Sequence, residues 1–196
     1  MSHLMVNFNT LLIILAFGTF ISLPFKRMLR WGVVTGLLIL SVSIPVAGSN
    51  PWLWINGAVG ELSILTVVLL TLFILRKLAD MHLVECRTRF HLYFLVLLMG
   101  FLLYPATLGL SQFDPYALGY GVQLSLLVLS LSIIYWVFQQ RQVAVLLLIV
   151  VAAGEIGLLT SLNSWDYLID PLLWLFTPAI LIVMYFNGRA QAKTSA

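Results

Sequence analysis

The chain has 196 residues, of which 62% are hydrophobic and only 9% charged, where a soluble domain carries roughly 25% charged residues. That composition leaves nothing from which to build a soluble domain, and the expectation is one all-α membrane domain over residues 1–196. The net charge of +3 comes from ten Lys and Arg residues scattered between apolar runs, which argues against nucleic-acid binding, and a single cysteine, Cys86, excludes dithiol exchange.

Apolar runs of about 16–21 residues, the length needed to cross a bilayer, fall at about 4–23, 31–47, 54–74, 90–108, 119–138, 143–161 and 171–186. The first is read as a crossing rather than a cleaved signal, because no Lys or Arg precedes it and it ends in Leu23-Pro24-Phe25-Lys26-Arg27. Cations follow the first run (Lys26, Arg27, Arg30), the third (Arg76, Lys77, Arg87, Arg89), the fifth (Arg141) and the seventh (Arg189, Lys193). The segments after the second, fourth and sixth runs carry none. Cationic loops stay in the cytoplasm, so the pattern predicts seven crossings, the N-terminus outside and the C-terminus inside. A bacterial inner membrane fits this arrangement. Six or eight crossings follow if a short run is misread, the seventh being the shortest.

Three outer ends share a stop signal: Asn50-Pro51, Asp114-Pro115 and Asp170-Pro171. Asp and Asn accept a hydrogen bond from a free N–H of the first turn, and proline suits the first helical position. Aromatic residues cluster near both predicted surfaces, Trp52, Trp54, Tyr116, Tyr120, Trp165 and Tyr167 outside, and Trp31, Tyr93, Tyr135, Trp136 and Tyr185 inside. Amphipathic rings favour the headgroup layer, so they read as anchors. The segment 76–91 alternates in charge and carries Glu85 and Arg89 at i,i+4 spacing. It reads as a solvated helical hairpin or as a docking surface for a cytoplasmic partner.

Two carboxylates lie inside apolar runs, Glu61 and Glu155. A charge at a helix centre costs about 2.5–3.5 kcal/mol on insertion scales, so such residues face a bundle interior or a watery cavity. Their surroundings, Ala58-Val59-Gly60-Glu61-Leu62-Ser63-Ile64-Leu65-Thr66 and Ala152-Ala153-Gly154-Glu155-Ile156-Gly157-Leu158-Leu159-Thr160, repeat in register. Runs 1–3 and 4–6 are therefore candidate inverted repeats, which place a shared site where the halves meet. Asn56, Ser63, Thr66 and Thr160 are candidate pocket residues beside the glutamates. Gly57, Gly60, Gly154, Gly157 and the Gly32/Gly36 pair read as close-packing positions. On the outer side Asp114, Asn163, Trp165, Asp166 and Asp170 form a second candidate cluster, in the loop most rich in polar residues.

No zinc-protease, nucleophile-elbow or phosphate-loop motif occurs, and His3, His82 and His91 lie at or beyond the ends of runs. No cofactor and no metal are expected. The first reading is a non-enzymatic component of an envelope system that binds a lipid or a membrane-protein partner. Beside it stand a small proton-coupled secondary transporter using Glu61 and Glu155, and an intramembrane enzyme acting on a lipid headgroup at the outer leaflet.

Overall fold

The computed structural model describes residues 2–43, 51–110 and 112–194. The side chains of residues 2–6, 27, 28, 56 and 189–194 lie outside that description, as does Asn50 with the cap expected there. Among the described residues the protein is all-helical, with nine α-helices, one 3-10 turn and no strand. It divides into two compact units, residues 1–83 with 158–160, and residues 84–157 with 161–196.

The first unit holds α1 (Ser2–Ile21), α2 (Arg27–Ser43), α3 (Pro51–Val59) and α4 (Ile64–Leu78). Leu12, Ile14, Val34, Leu62, Leu65 and Leu69 form its core. α1 and α2 approach closely at Gly18, where a Cβ would stand 3.3 Å from the Val34 backbone. Gly32 and Gly36, expected to pack a helix through their bare faces, meet nothing within 4 Å. At the opposite end from the α3–α4 junction, Arg30 of α2 fastens three chain segments. Its guanidinium donates to the carbonyls of Phe25 (2.9 Å), Leu23 (3.4 Å) and Lys77 (3.1 Å). A fixed cation thereby meets the carbonyl end of α4, where the helix dipole is negative. α4 stops with Asp80 in the left-handed region (φ 60°), and Met81 N–H closes back onto the Leu75 carbonyl at 3.2 Å. A short polar side chain tolerates this left-handed position.

The third apolar run is not one helix. Gly60 takes φ +62°, which only glycine adopts at little cost, and the backbone leaves helical geometry from Gly60 to Ser63. Ser63 then caps α4, its hydroxyl accepting from Thr66 N–H at 3.1 Å. The continuous crossing expected over 54–74 is therefore two helices of nine and fifteen residues.

The second unit holds α5 (Cys86–Thr107), a 3-10 turn (Tyr116–Tyr120), α6 (Val122–Val137), α7 (Arg141–Ile156), α8 (Ser164–Leu168) and α9 (Pro171–Thr194). α6 and α7 form a hairpin around Leu124, Val128, Val143, Ala144, Leu147 and Val150, joined through a left-handed Gln139 (φ 61°). Inside it Ser132 donates to the Ala144 carbonyl at 2.9 Å. α5 and α9 meet at Gly100, where a Cβ would fall 2.0 Å from the Trp174 ring. α7 ends at Gly157 (φ 69°), so the sixth run stops being helical earlier than the expected 161.

Two helices, Cys86–Thr107 and Pro171–Gly188, are long and apolar enough to cross a membrane. Only 22% and 11% of their apolar windows are buried, whereas the core helix of a soluble protein faces inward. The helices over Asn7–Ile21, Leu29–Ser43 and Val122–Val137 are apolar but shorter. Seven full-length crossing helices, as the sequence predicted, are not found among the described residues.

A carboxylate at a helix break

Glu61 sits in the non-helical stretch between α3 and α4, directly after the left-handed Gly60. Its Oε2 accepts two hydrogen bonds from Thr160, from the backbone N–H at 2.8 Å and from the hydroxyl at 2.6 Å. Thr160 reaches it because residues 158–160 belong to the first unit, anchored by the buried Leu159. The other oxygen, Oε1, is buried and has no hydrogen-bond partner. At the same break α1 contributes Asn9, wholly buried at 0% exposure. The Asn9 amide nitrogen donates to the Gly60 carbonyl at 3.4 Å, while its Oδ1 is buried and unpartnered. Ser63 and Thr66 are buried beside the break, their hydroxyls 2.8 Å apart.

The local sequence accounts for this arrangement. Val59-Gly60-Glu61-Leu62-Ser63 offers a residue free to turn left-handed and, three positions on, a hydroxyl that caps the next helix. α3 closes on its carbonyl end at the break, where its dipole is negative and backbone acceptors are left over. The chemistry on offer is consistent: carbonyl, amide, carboxyl and hydroxyl oxygens.

Of the residues singled out in the sequence, Glu61, Ser63 and Thr160 come together here. The Asn56 side chain lies outside the described residues, although its backbone belongs to α3. Glu155 lies in the last turn of α7 in the second unit; its side chain is exposed, with no described hydrogen bond. Its equivalent glycine in the proposed repeat, Gly154, stays helical where Gly60 breaks the helix, so the two windows do not share a backbone. Asn9 escaped the sequence reading. The signal was present as an asparagine in the first apolar run, and an amide there needs a partner as much as a carboxylate does.

The outer-side candidates form a separate cluster in the second unit. Asp114 caps the 3-10 turn through Tyr116 N–H at 3.0 Å. Asp170 caps α9 through Leu173 N–H at 2.8 Å. Asn163 is fully buried, accepting from Trp165 N–H at 2.9 Å and donating to the Tyr116 carbonyl at 3.0 Å. Gly119 packs against it so closely that a Cβ would overlap Asn163 Oδ1. Trp165 is 2% exposed and donates to the Pro115 carbonyl at 2.8 Å. Trp165 and Tyr167 are thus core residues of this loop, not exposed anchors. Asp166 accepts from Tyr116 OH at 3.0 Å and from the Ser161 hydroxyl. Burial, then the Asp166 charge, push the Tyr116 phenol well above its ordinary range. The cluster is internally satisfied and ties residues 114–120 to residues 161–170.

In the segment 76–91, Glu85 precedes α5 instead of lying in a helical hairpin, and its N–H bonds Gln142 Oε1 at 3.1 Å. The ion pair described there is His82 with Asp80, at 3.4 Å and exposed. Nearby in the second unit, Arg87, His91, Tyr135, Ile134 and Phe138 line an open groove of about 400 Å³. His91 meets Tyr135 edge-on at 5.6 Å. Among the described residues no cluster of three or more His, Cys, Asp or Glu side chains is placed to hold a metal. No protein-family model, curated protein or solved structure matches the chain.

Proposed function

We propose that the protein is a small multi-pass membrane carrier whose working group is Glu61. The observation that carries this reading is a carboxylate placed at the break of a discontinuous apolar helix, with one oxygen bound and the other buried without a partner. Carriers place substrate and coupling ions at such interruptions, because unwound backbone supplies polar groups at depth. An unpartnered buried acceptor is costly, and function is the usual reason to keep one in a membrane segment. In this reading α3 and α4 together form the third of seven crossings. The one-sided distribution of Lys and Arg supports an N-terminus outside, a C-terminus in the cytoplasm and a bacterial inner membrane as the location.

The test lets the protein select its own solute. Proteoliposomes are incubated in a filtered cell extract under imposed inward proton and sodium gradients, and the retained small molecules are identified by mass spectrometry. Wild type retains a solute that protein-free vesicles do not, and Glu61→Gln abolishes the retention. Equal retention by wild type and Glu61→Gln removes the role assigned to the carboxylate.

A second reading, a non-enzymatic component that binds a lipid, is favoured by the groove at Arg87, His91 and Tyr135. A cation, Arg87, beside an apolar groove suits an anionic headgroup above its acyl chain. Native mass spectrometry after gentle extraction would carry a bound anionic lipid in wild type and lose it in Arg87→Ala. A stoichiometric protein partner in that extract would favour an accessory subunit.

A further inference from the structure

The two buried side-chain oxygens left unpartnered at the break, Glu61 Oε1 and Asn9 Oδ1, are both acceptors. No donor on the described residues reaches either. A cation takes electron pairs from both acceptors at once and also balances the charge of the carboxylate. We infer that Glu61 and Asn9, with the carbonyl end of α3, form a binding site for a single alkali cation, for which Na⁺ serves as the probe. This inference rests on the carrier reading and names the coupling ion for it.

Charge selects the valence. Within the first unit, α1 from Asn7 onward and α3 carry no ionisable side chain. On α4 the cations Arg76 and Lys77 stand in the last turn, twelve or more residues beyond Ile64, roughly 18 Å along the helix axis. Residues 158–160 add none. On α2, Arg30 is held at the far end of α4 by the Lys77 carbonyl, so among the described residues one carboxylate faces the site alone. A monovalent ion neutralises it, whereas a divalent ion would leave a buried positive charge, and burial penalises net charge. Divalent sites also draw on several carboxylates, and no such cluster exists among the described residues. The ligand set is all oxygen, suited to a hard cation. Two features hold it in place. Thr160 fixes the carboxylate through Oε2 and leaves Oε1 to the ion. The Gly60 carbonyl holds the Asn9 amide through its nitrogen, and Oδ1 has no partner among the described residues.

The experiment is thermal unfolding of the full-length purified protein in detergent at neutral pH. NaCl is titrated against choline chloride at constant ionic strength. A cation that binds only the folded protein raises the midpoint in proportion to the logarithm of its concentration above Kd. The expected result is a midpoint that climbs by several degrees in NaCl and not in choline chloride. The climb should be absent in Glu61→Gln. No difference between the two salts overturns the inference, as does a shift that survives in Glu61→Gln, or a larger shift in CaCl₂ or MgCl₂ than in NaCl. If Glu61→Gln does not fold, the same titration on wild type at falling pH decides, because a proton and Na⁺ compete for the same carboxylate. A Na⁺ shift that shrinks as pH falls supports the site, and one that ignores pH overturns it. Solute retention without any Na⁺ shift would sink this site and leave the carrier reading standing, while a Na⁺ shift without retention would do the reverse.

Discussion

Glu61 and Asp166 are both carboxylates near the outer side of the predicted topology, yet their surroundings assign them different work. Asp166 has its oxygens taken up by Tyr116 and Ser161, so it braces a loop. Glu61 keeps one oxygen open. The bracing has a pH consequence. Tyr116 is held in its neutral form by burial and by the Asp166 charge, above the ordinary value near 10. A raised folded-state value means the contribution is complete below the unfolded value and is lost as pH rises above it. Thermal unfolding in wild type should therefore show a stability fall beginning above about pH 10, and Tyr116→Phe should show a smaller fall. Identical pH profiles for the two proteins would contradict the assigned coupling. Residue chemistry was partly legible in the sequence. The Glu61–Thr160 pairing joins positions 99 residues apart, and hydropathy carries no information about which distant hydroxyl arrives.

At the scale of elements, the apolar runs located the helices well. α1, α2, α5 and α6 each match an expected run within a few residues, and α9 starts with its run but continues eight residues past 186. The break in the third run was hidden because a window average sees Val59, Leu62 and Ile64 and is blind to a φ of +62°. The two marks of a stop, glycine and a capping serine, were in view but read as packing and pocket residues. Gly60→Ala should cost about 1–2 kcal/mol, since a Cβ penalises the left-handed conformation. Limited proteolysis or thermal unfolding of the variant checks this, and an unchanged midpoint would mean the break is not formed. In the second unit, Gly100→Val should cost about 1–3 kcal/mol or more by overpacking, because a Cβ there already falls 2.0 Å from the Trp174 ring. Trp174 fluorescence should report the displaced ring, and an unperturbed spectrum would contradict the α5–α9 contact.

For the whole molecule, composition pointed to apolar helices, two of which are long and apolar enough to cross a membrane, while the division into two compact units was not written in the hydropathy. Tertiary grouping depends on which faces pack, and apolar helices share too small an alphabet to reveal that. Orientation is directly testable because Cys86 is the sole cysteine and is exposed. A membrane-impermeant maleimide should leave it unlabelled in right-side-out vesicles and label it once they are opened. Labelling in sealed right-side-out vesicles would reverse the topology. The role of the helix break turns on whether Glu61 takes up and releases a charge-balancing ion. The most direct measurement is the acid-minus-neutral infrared difference spectrum of the purified protein without sodium, compared between wild type and Glu61→Gln. A carboxylic C=O band is expected in wild type, missing from Glu61→Gln and displaced in Thr160→Ala, which removes one of its two hydrogen bonds. Superimposable wild-type and Glu61→Gln spectra would show that Glu61 does not titrate, and would contradict its assignment as the working group.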